Sequence, residues 1–184
     1  LSLALPHSRE DVVLGKFVGR AGPLVATLVG TMAVAGALVV YPFGELVVAE
    51  FVAFVLLTVV FAAVWVGFGM AVSLSVATKR RALVLGVSVL FVLVFVWDTI
   101  EGALRLGLTS AGVTDGELPT VAQFVFSLSP GRAFVRVTDG FLNPAATVDG
   151  PWYLGEWVGL VALVGWAVGP LGLAYLRFTR RDLA

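Results

Sequence analysis

Phe51-Val52-Ala53-Phe54-Val55-Leu56-Leu57-Thr58-Val59-Val60-Phe61-Ala62-Ala63-Val64-Trp65-Val66-Gly67-Phe68-Gly69-Met70-Ala71-Val72-Ser73-Leu74-Ser75-Val76-Ala77-Thr78 runs for 28 residues without an Asp, Glu, Lys or Arg. As an α-helix it reaches about 42 Å, more than the roughly 30 Å of a bilayer's hydrocarbon core. A buried strand is excluded by length, because strands rarely exceed about ten residues. Three further charge-free runs flank it: residues 21–44, 82–97 and 157–176, of 24, 16 and 20 residues. The 16-residue run gives only about 24 Å as a helix, so it is predicted to continue outward through Asp98 to Glu101. The fold class that follows is all-α: a polytopic helical membrane protein with spans at about 21–44, 51–78, 82–101 and 157–176.

Composition agrees with that reading and excludes several functions. Of 184 residues, 59% are hydrophobic and 13% charged, about half the charge an ordinary soluble domain carries. The absence of cysteine excludes disulfides, thiolate metal sites, iron-sulfur clusters and cysteine nucleophiles. Net charge is zero and no basic run occurs, which argues against nucleic acid as a partner. Residues 1–5 are too short for a cleavable signal, and the chain opens without methionine into a polar stretch. It reads as starting within a larger protein.

Lys and Arg set the expected orientation, because translocating cationic loops is disfavoured. Arg9, Lys16, Arg20, Lys79, Arg80, Arg81, Arg177, Arg180 and Arg181 fall on one side of a four-span chain, and only Arg105, Arg132 and Arg136 on the other. Most acidic residues run the opposite way, so the two faces carry about +6 and −6. Both termini of this chain are expected in the cytoplasm, with the protein in the plasma membrane. Tyr41, Trp97, Trp152, Tyr153 and Trp157 cluster at the proposed outer ends, where such rings favour the headgroup level; Trp65 and Trp166 fall mid-span and read as packing residues.

Residues 98–156 form the outer segment, too long for a structureless loop. Asp98, Glu101 and Arg105 share one helical face, with Glu101 preceding Arg105 in the favourable order. Thr114-Asp115-Gly116 reads as a turn, and residues 118–128 are apolar but too few to cross. Ser129-Pro130-Gly131 breaks that stretch, and Asn143-Pro144 and Asp149-Gly150-Pro151 are further turns. One or two short interfacial or re-entrant helices are expected, folded against the outer mouth of the bundle.

No enzymatic cluster is present. The single histidine, His7, lacks the partners a metal site needs, and no zinc-protease, serine-hydrolase or phosphate-loop motif occurs. Catalytic, metal and cofactor-binding residues are therefore all read as none; ATP and Mg are expected on another chain. Glu50, Asp98 and Glu101 lie at the outer ends of spans two and three. The plain reading is hydrated interfacial placement; the sharper one is an acidic outer mouth that meets substrate. Gly67 and Gly69 in span two, and Gly165 with Gly169 before Pro170 in span four, suit close helix packing.

Four stretches, in order, carry a resemblance. Leu5-Pro6-His7-Ser8-Arg9-Glu10-Asp11-Val12-Val13-Leu14-Gly15-Lys16-Phe17-Val18-Gly19-Arg20 resembles the cytoplasmic segment before the third helix of ABC type-2 transporter permeases. Gly67-Phe68-Gly69-Met70-Ala71-Val72-Ser73, with Lys79-Arg80-Arg81-Ala82 after it, resembles the end of their fourth helix and its turn. Leu128-Ser129-Pro130-Gly131-Arg132-Ala133-Phe134 resembles their Pro-containing outer segment, and Tyr175-Leu176-Arg177-Phe178-Thr179-Arg180-Arg181-Asp182-Leu183 their basic end. Within the family the chain is most similar to the subgroup that includes permeases of nitrous oxide reductase maturation. Six spans are usual there, so the first two are expected to be absent from this chain. The resemblance implies an ABC ATPase subunit as partner, contacted through a short coupling helix within residues 5–20 at Ser8, Arg9, Glu10 and Asp11, and a homodimer or paired permease. It implies a transport subunit, an exporter, rather than an enzyme. An ion-coupled transporter or a non-transporting scaffold are the alternatives; the first should need a carboxylate near mid-membrane, and none occurs in these spans.

Overall fold

The structure, a computed structural model, describes residues 9–44, 46–76, 78–143 and 151–181. Among them every regular element is helical. In chain order these are α1 (Arg9–Phe43), α2 (Val48–Ser75), α3 (Lys79–Phe91), a π-helical turn at Val92–Val96, α4 (Trp97–Ser110), α5 (Thr120–Ser127), α6 (Pro130–Leu142), a 3₁₀ turn at Trp152–Leu154 and α7 (Glu156–Arg181). Four helical segments are long and apolar enough to cross a bilayer: Phe17–Pro42, Val48–Ser75, Lys79–Ser110 and Glu156–Leu173. The chain is a multi-pass membrane protein.

Two boundaries differ from the sequence reading. Residues 9–20 form no separate coupling helix; they are the first third of α1, continuous with the span. Backbone hydrogen bonds continue regardless of side-chain polarity, and nothing between Arg9 and Gly22 interrupts them, since glycines lower helix stability without blocking a bond. The first break is Gly44, whose φ of +75° lets its N–H return to the Val40 carbonyl at 2.8 Å and end the helix. The third span also runs past Glu101 to Ser110, because α3, the π turn and α4 join without interruption. In that turn the Trp97 N–H bonds the Val92 carbonyl, five residues back, so one turn holds an extra residue.

The buried core is small and lies between α2, α6 and α7. Val64, Ala133 and Leu163 have no exposed surface. Phe61 stacks on Phe134 with ring centres 4.7 Å apart, and Phe68 meets Trp166 at 5.4 Å. Gly67 makes the closest approach of α2 to α7: a Cβ there would stand 3.0 Å from the Ala167 carbonyl oxygen. On the other side of α7, Gly159 faces Val137 and the Ala133 carbonyl of α6. By contrast, α1 and α3 sit at the periphery with apolar side chains such as Val34, Leu38, Leu83 and Val87 exposed. In lipid that exposure is unpenalised, so cohesion rests on shape and hydrogen bonds.

The segment between the third and fourth membrane-crossing helices folds as a helical hairpin. Helices α5 and α6 meet at Leu128 and Ser129, and Pro130 opens α6 at a position where a backbone N–H would have no helical partner anyway. Leu128 reaches Trp166, roughly three turns or about 15 Å along α7 from its first residue. Phe126, Ser127, Ser129 and Pro130 are all buried at this tip.

Candidate functional site

A helix end buried in protein leaves carbonyls that must find donors. At the hairpin tip two indoles supply them. Trp97 of α4 donates its Nε1–H to the Phe126 carbonyl at 3.2 Å, and Trp166 of α7 donates to the Leu128 carbonyl at 2.6 Å. Ser127 satisfies the Phe124 carbonyl through its own hydroxyl at 2.7 Å. The hairpin is thereby tied to both long helices that flank it. Trp97 is thus engaged inside the protein, and its role could not be read from an aromatic belt.

Above the tip, an ion-pair group joins α4 to α6. Arg132 stands 2.7 Å from Glu101 Oε2 and 3.3 Å from Asp98 Oδ1, while Arg105 bonds Glu101 Oε1 at 2.9 Å. Glu101 is 6% exposed and therefore depends on both arginines; a carboxylate buried without cations would be costly. The approach of Arg132 to Oε2 is off the N–H direction, so that oxygen has charge compensation but no hydrogen bond. Two cations and two anions close the group at zero. The Glu101–Arg105 pair follows from helical spacing; Arg132, more than thirty residues away, became a partner only through the hairpin topology.

Glu101, Arg105 and Arg132 form one wall of a cavity of about 700 Å³ between α4, α5, α6 and the start of α7, whereas Asp98 lies outside its lining. Arg136, Asp139, Glu117 and Glu156 complete its charged lining, with Gln123 and Ser127 adding polar groups. Burial lowers the Arg136 guanidinium below its ordinary value, yet arginine stays charged throughout the physiological range. Gly140 is needed at the rim: a Cβ there would collide with the Glu156 side chain. Among the described residues no three His, Asp or Glu gather as metal ligands.

The sequence-predicted residues divide as follows. Asp98 and Glu101 come together, bridged by Arg132; Glu50 is exposed in the first turn of α2 and lies outside the cavity lining. Gly67 packs against α7, whereas a Cβ at Gly69, Gly165 or Gly169 would meet nothing within 4 Å. Gly69 instead borders an apolar cavity of about 290 Å³ between α2 and α3. Ser8 and His7 lie outside the described residues, and Arg9, Glu10 and Asp11 begin α1 with side chains that also lie outside them.

No curated protein and no solved structure matches the chain significantly. The family model of the ABC-2 family transporter proteins matches residues 1–183. With four membrane-crossing helices and a match over nearly the whole chain, the protein belongs to the ABC-2 family of transporter proteins.

Proposed function

We propose that the chain is the permease subunit of an ATP-driven exporter, working as a pair of permease chains with separate ATPase subunits that carry ATP and Mg. Its basic end faces the cytoplasm of a cell whose plasma membrane it spans, and the hairpin faces outward. The observation that carries the reading is the continuity of α1: Arg9, Glu10 and Asp11 stand on the same 35-residue helix as the first span. A displacement applied at that end by an ATPase closing on nucleotide is delivered to the bundle along α1, across Pro23, where the helix lacks one backbone hydrogen bond. The Lys79-Arg80-Arg81 cluster fits the same side. It occupies the first turn of α3, where cations oppose the helix dipole, so the helix gains nothing from it, while anionic headgroups and the positive-inside rule account for it. The chain itself breaks no covalent bond; its work is to exchange between states whose populations the ATPase sets.

The test is the charge swap Arg9→Glu with Glu10→Arg in the permease copurified with its ATPase. Loss of permease-stimulated ATP hydrolysis, with the membrane yield unchanged, is the expected result. Stimulation that survives the swap would remove the coupling role of this segment.

A further inference from the structure

The cavity beneath the hairpin holds more charge than its ion-pair group consumes. Asp98, Glu101, Arg105 and Arg132 compensate one another. Arg136, Glu117, Asp139 and Glu156 also line or border the same space, and among the described residues none of the four has an ion pair or hydrogen bond. Arg136 is only partly exposed, a costly state for an unpaired guanidinium. Asp139, one turn along the same helix, is close in sequence spacing but forms no pair with it.

We propose that this cavity binds a small zwitterion, whose phosphate or carboxylate pairs with Arg136 and whose ammonium is held by Glu156 and Asp139. An anion alone is disfavoured, since three unpaired carboxylates surround the one unpaired cation. A metal ion is disfavoured because those carboxylates do not converge. Glu156 rests against Gly140, four residues or about 6 Å along α6 from Arg136, so an unpaired carboxylate and an unpaired guanidinium line the same cavity, and a ligand carrying both charges, such as phosphoethanolamine, answers both. The shared chemistry has two sources, the headgroup of an aminophospholipid or a free zwitterion from the outer solution. The inference stands apart from ATPase coupling, which its test does not measure.

The full chain, purified in detergent, is titrated with O-phosphoethanolamine, with inorganic phosphate and with ethanolamine. Native mass spectrometry from nanodiscs of mixed phosphatidylethanolamine and phosphatidylglycerol forms the second arm. Specific binding of the zwitterion is expected, weakened about tenfold by Arg136→Gln and similarly by Glu156→Gln, as for loss of a charged hydrogen bond. Retention of phosphatidylethanolamine that O-phosphoethanolamine does not displace identifies the lipid as the source; displacement identifies the free molecule. Where Arg136→Gln does not fold, Arg136→Lys keeps the charge but loses the forked geometry, and a loss of several-fold is expected. Phosphate binding as tightly as the zwitterion, no binding in either arm, or binding unchanged in the folded variants overturns the proposal.

Discussion

Trp166, in the middle of α7, gives its indole proton to the Leu128 carbonyl at the tip of a hairpin that enters from the other end of the bundle, at 2.6 Å. The carbonyl belongs to the residue that caps α5 and is partly buried, where a lost donor is poorly replaced. Trp166→Phe keeps most of the ring contact with Phe68 and removes only the bond. A loss of about 1–3 kcal/mol is expected, read as a melting temperature lowered by several degrees in detergent by circular dichroism. Trp97→Phe, at the longer 3.2 Å contact, should cost less. An unchanged melting curve for Trp166→Phe would show that the tip is held by packing alone.

Arg132 and Asp98 should respond very differently to neutralisation. Asp98 has a side chain 60% exposed and stands 3.3 Å from Arg132, so Asp98→Asn is expected within about 1 kcal/mol of the parent. Arg132→Gln leaves the buried Glu101 with Arg105 alone and should cost about 2 kcal/mol. Adding Glu101→Gln should restore part of that loss, because the uncompensated charge disappears. A double-mutant cycle on thermal unfolding decides the matter, and additive losses would count against the ion-pair account.

The glycines give opposite expectations. Gly67→Val places branched carbons against the Ala167 carbonyl, 3.0 Å from the new Cβ, and should cost at least about 1–3 kcal/mol through overpacking. Gly165→Ala meets nothing within the chain and should be neutral or stabilising by up to about 1 kcal/mol through helix propensity. Equal effects at the two positions, measured by denaturation of the purified chain, would contradict the α2–α7 contact.

The π turn at Val92–Val96 absorbs one extra residue, so α4 keeps the face it would have on an uninterrupted helix one residue shorter. Deleting Val94 should convert the turn to ordinary α-helix and leave Glu101 facing Arg132. Inserting one alanine after Val94 should instead rotate α4 by about 100° and separate the pair. Because the chain has no cysteine, paired Asp98→Cys and Arg132→Cys changes report the geometry through a short bifunctional thiol reagent, which replaces the reach of the arginine side chain that a direct disulfide lacks. Crosslinking should persist after the deletion and fail after the insertion; the reverse pattern would refute the assignment of the extra residue.

The spans were legible because hydrocarbon imposes one rule, length without charge, and residues 51–78 satisfy it unaided. The hairpin was legible in outline from Ser129-Pro130-Gly131, and Glu101 with Arg105 from a spacing of four. Arg132 was not, because its partners lie on another helix and nothing local marks it. Trp97 reads as an interfacial ring, since belt statistics see depth along a span and not a carbonyl waiting beside it. The Gly165–Gly169 spacing shows that two glycines share a face, but not that the face has a neighbour in this chain; Gly67, which has no glycine four residues away, and Gly159, four residues after Gly155, are where α7 is approached closely. The polarity of residues 9–20 likewise marked a change of surroundings rather than the end of a helix.

The double tether of the hairpin constrains how the bundle can part. Separating α4 from α7 stretches one of two indole bonds first, and the tip then leaves with whichever helix retains its grip. The weaker hold is on Trp97, so the hairpin is expected to travel with α7, carrying Arg132 away and leaving Asp98 and Glu101 with Arg105 alone beside a widening gap. A parting of that kind is discontinuous: the clasp would be closed and neutral, or open with a net negative charge, with little between.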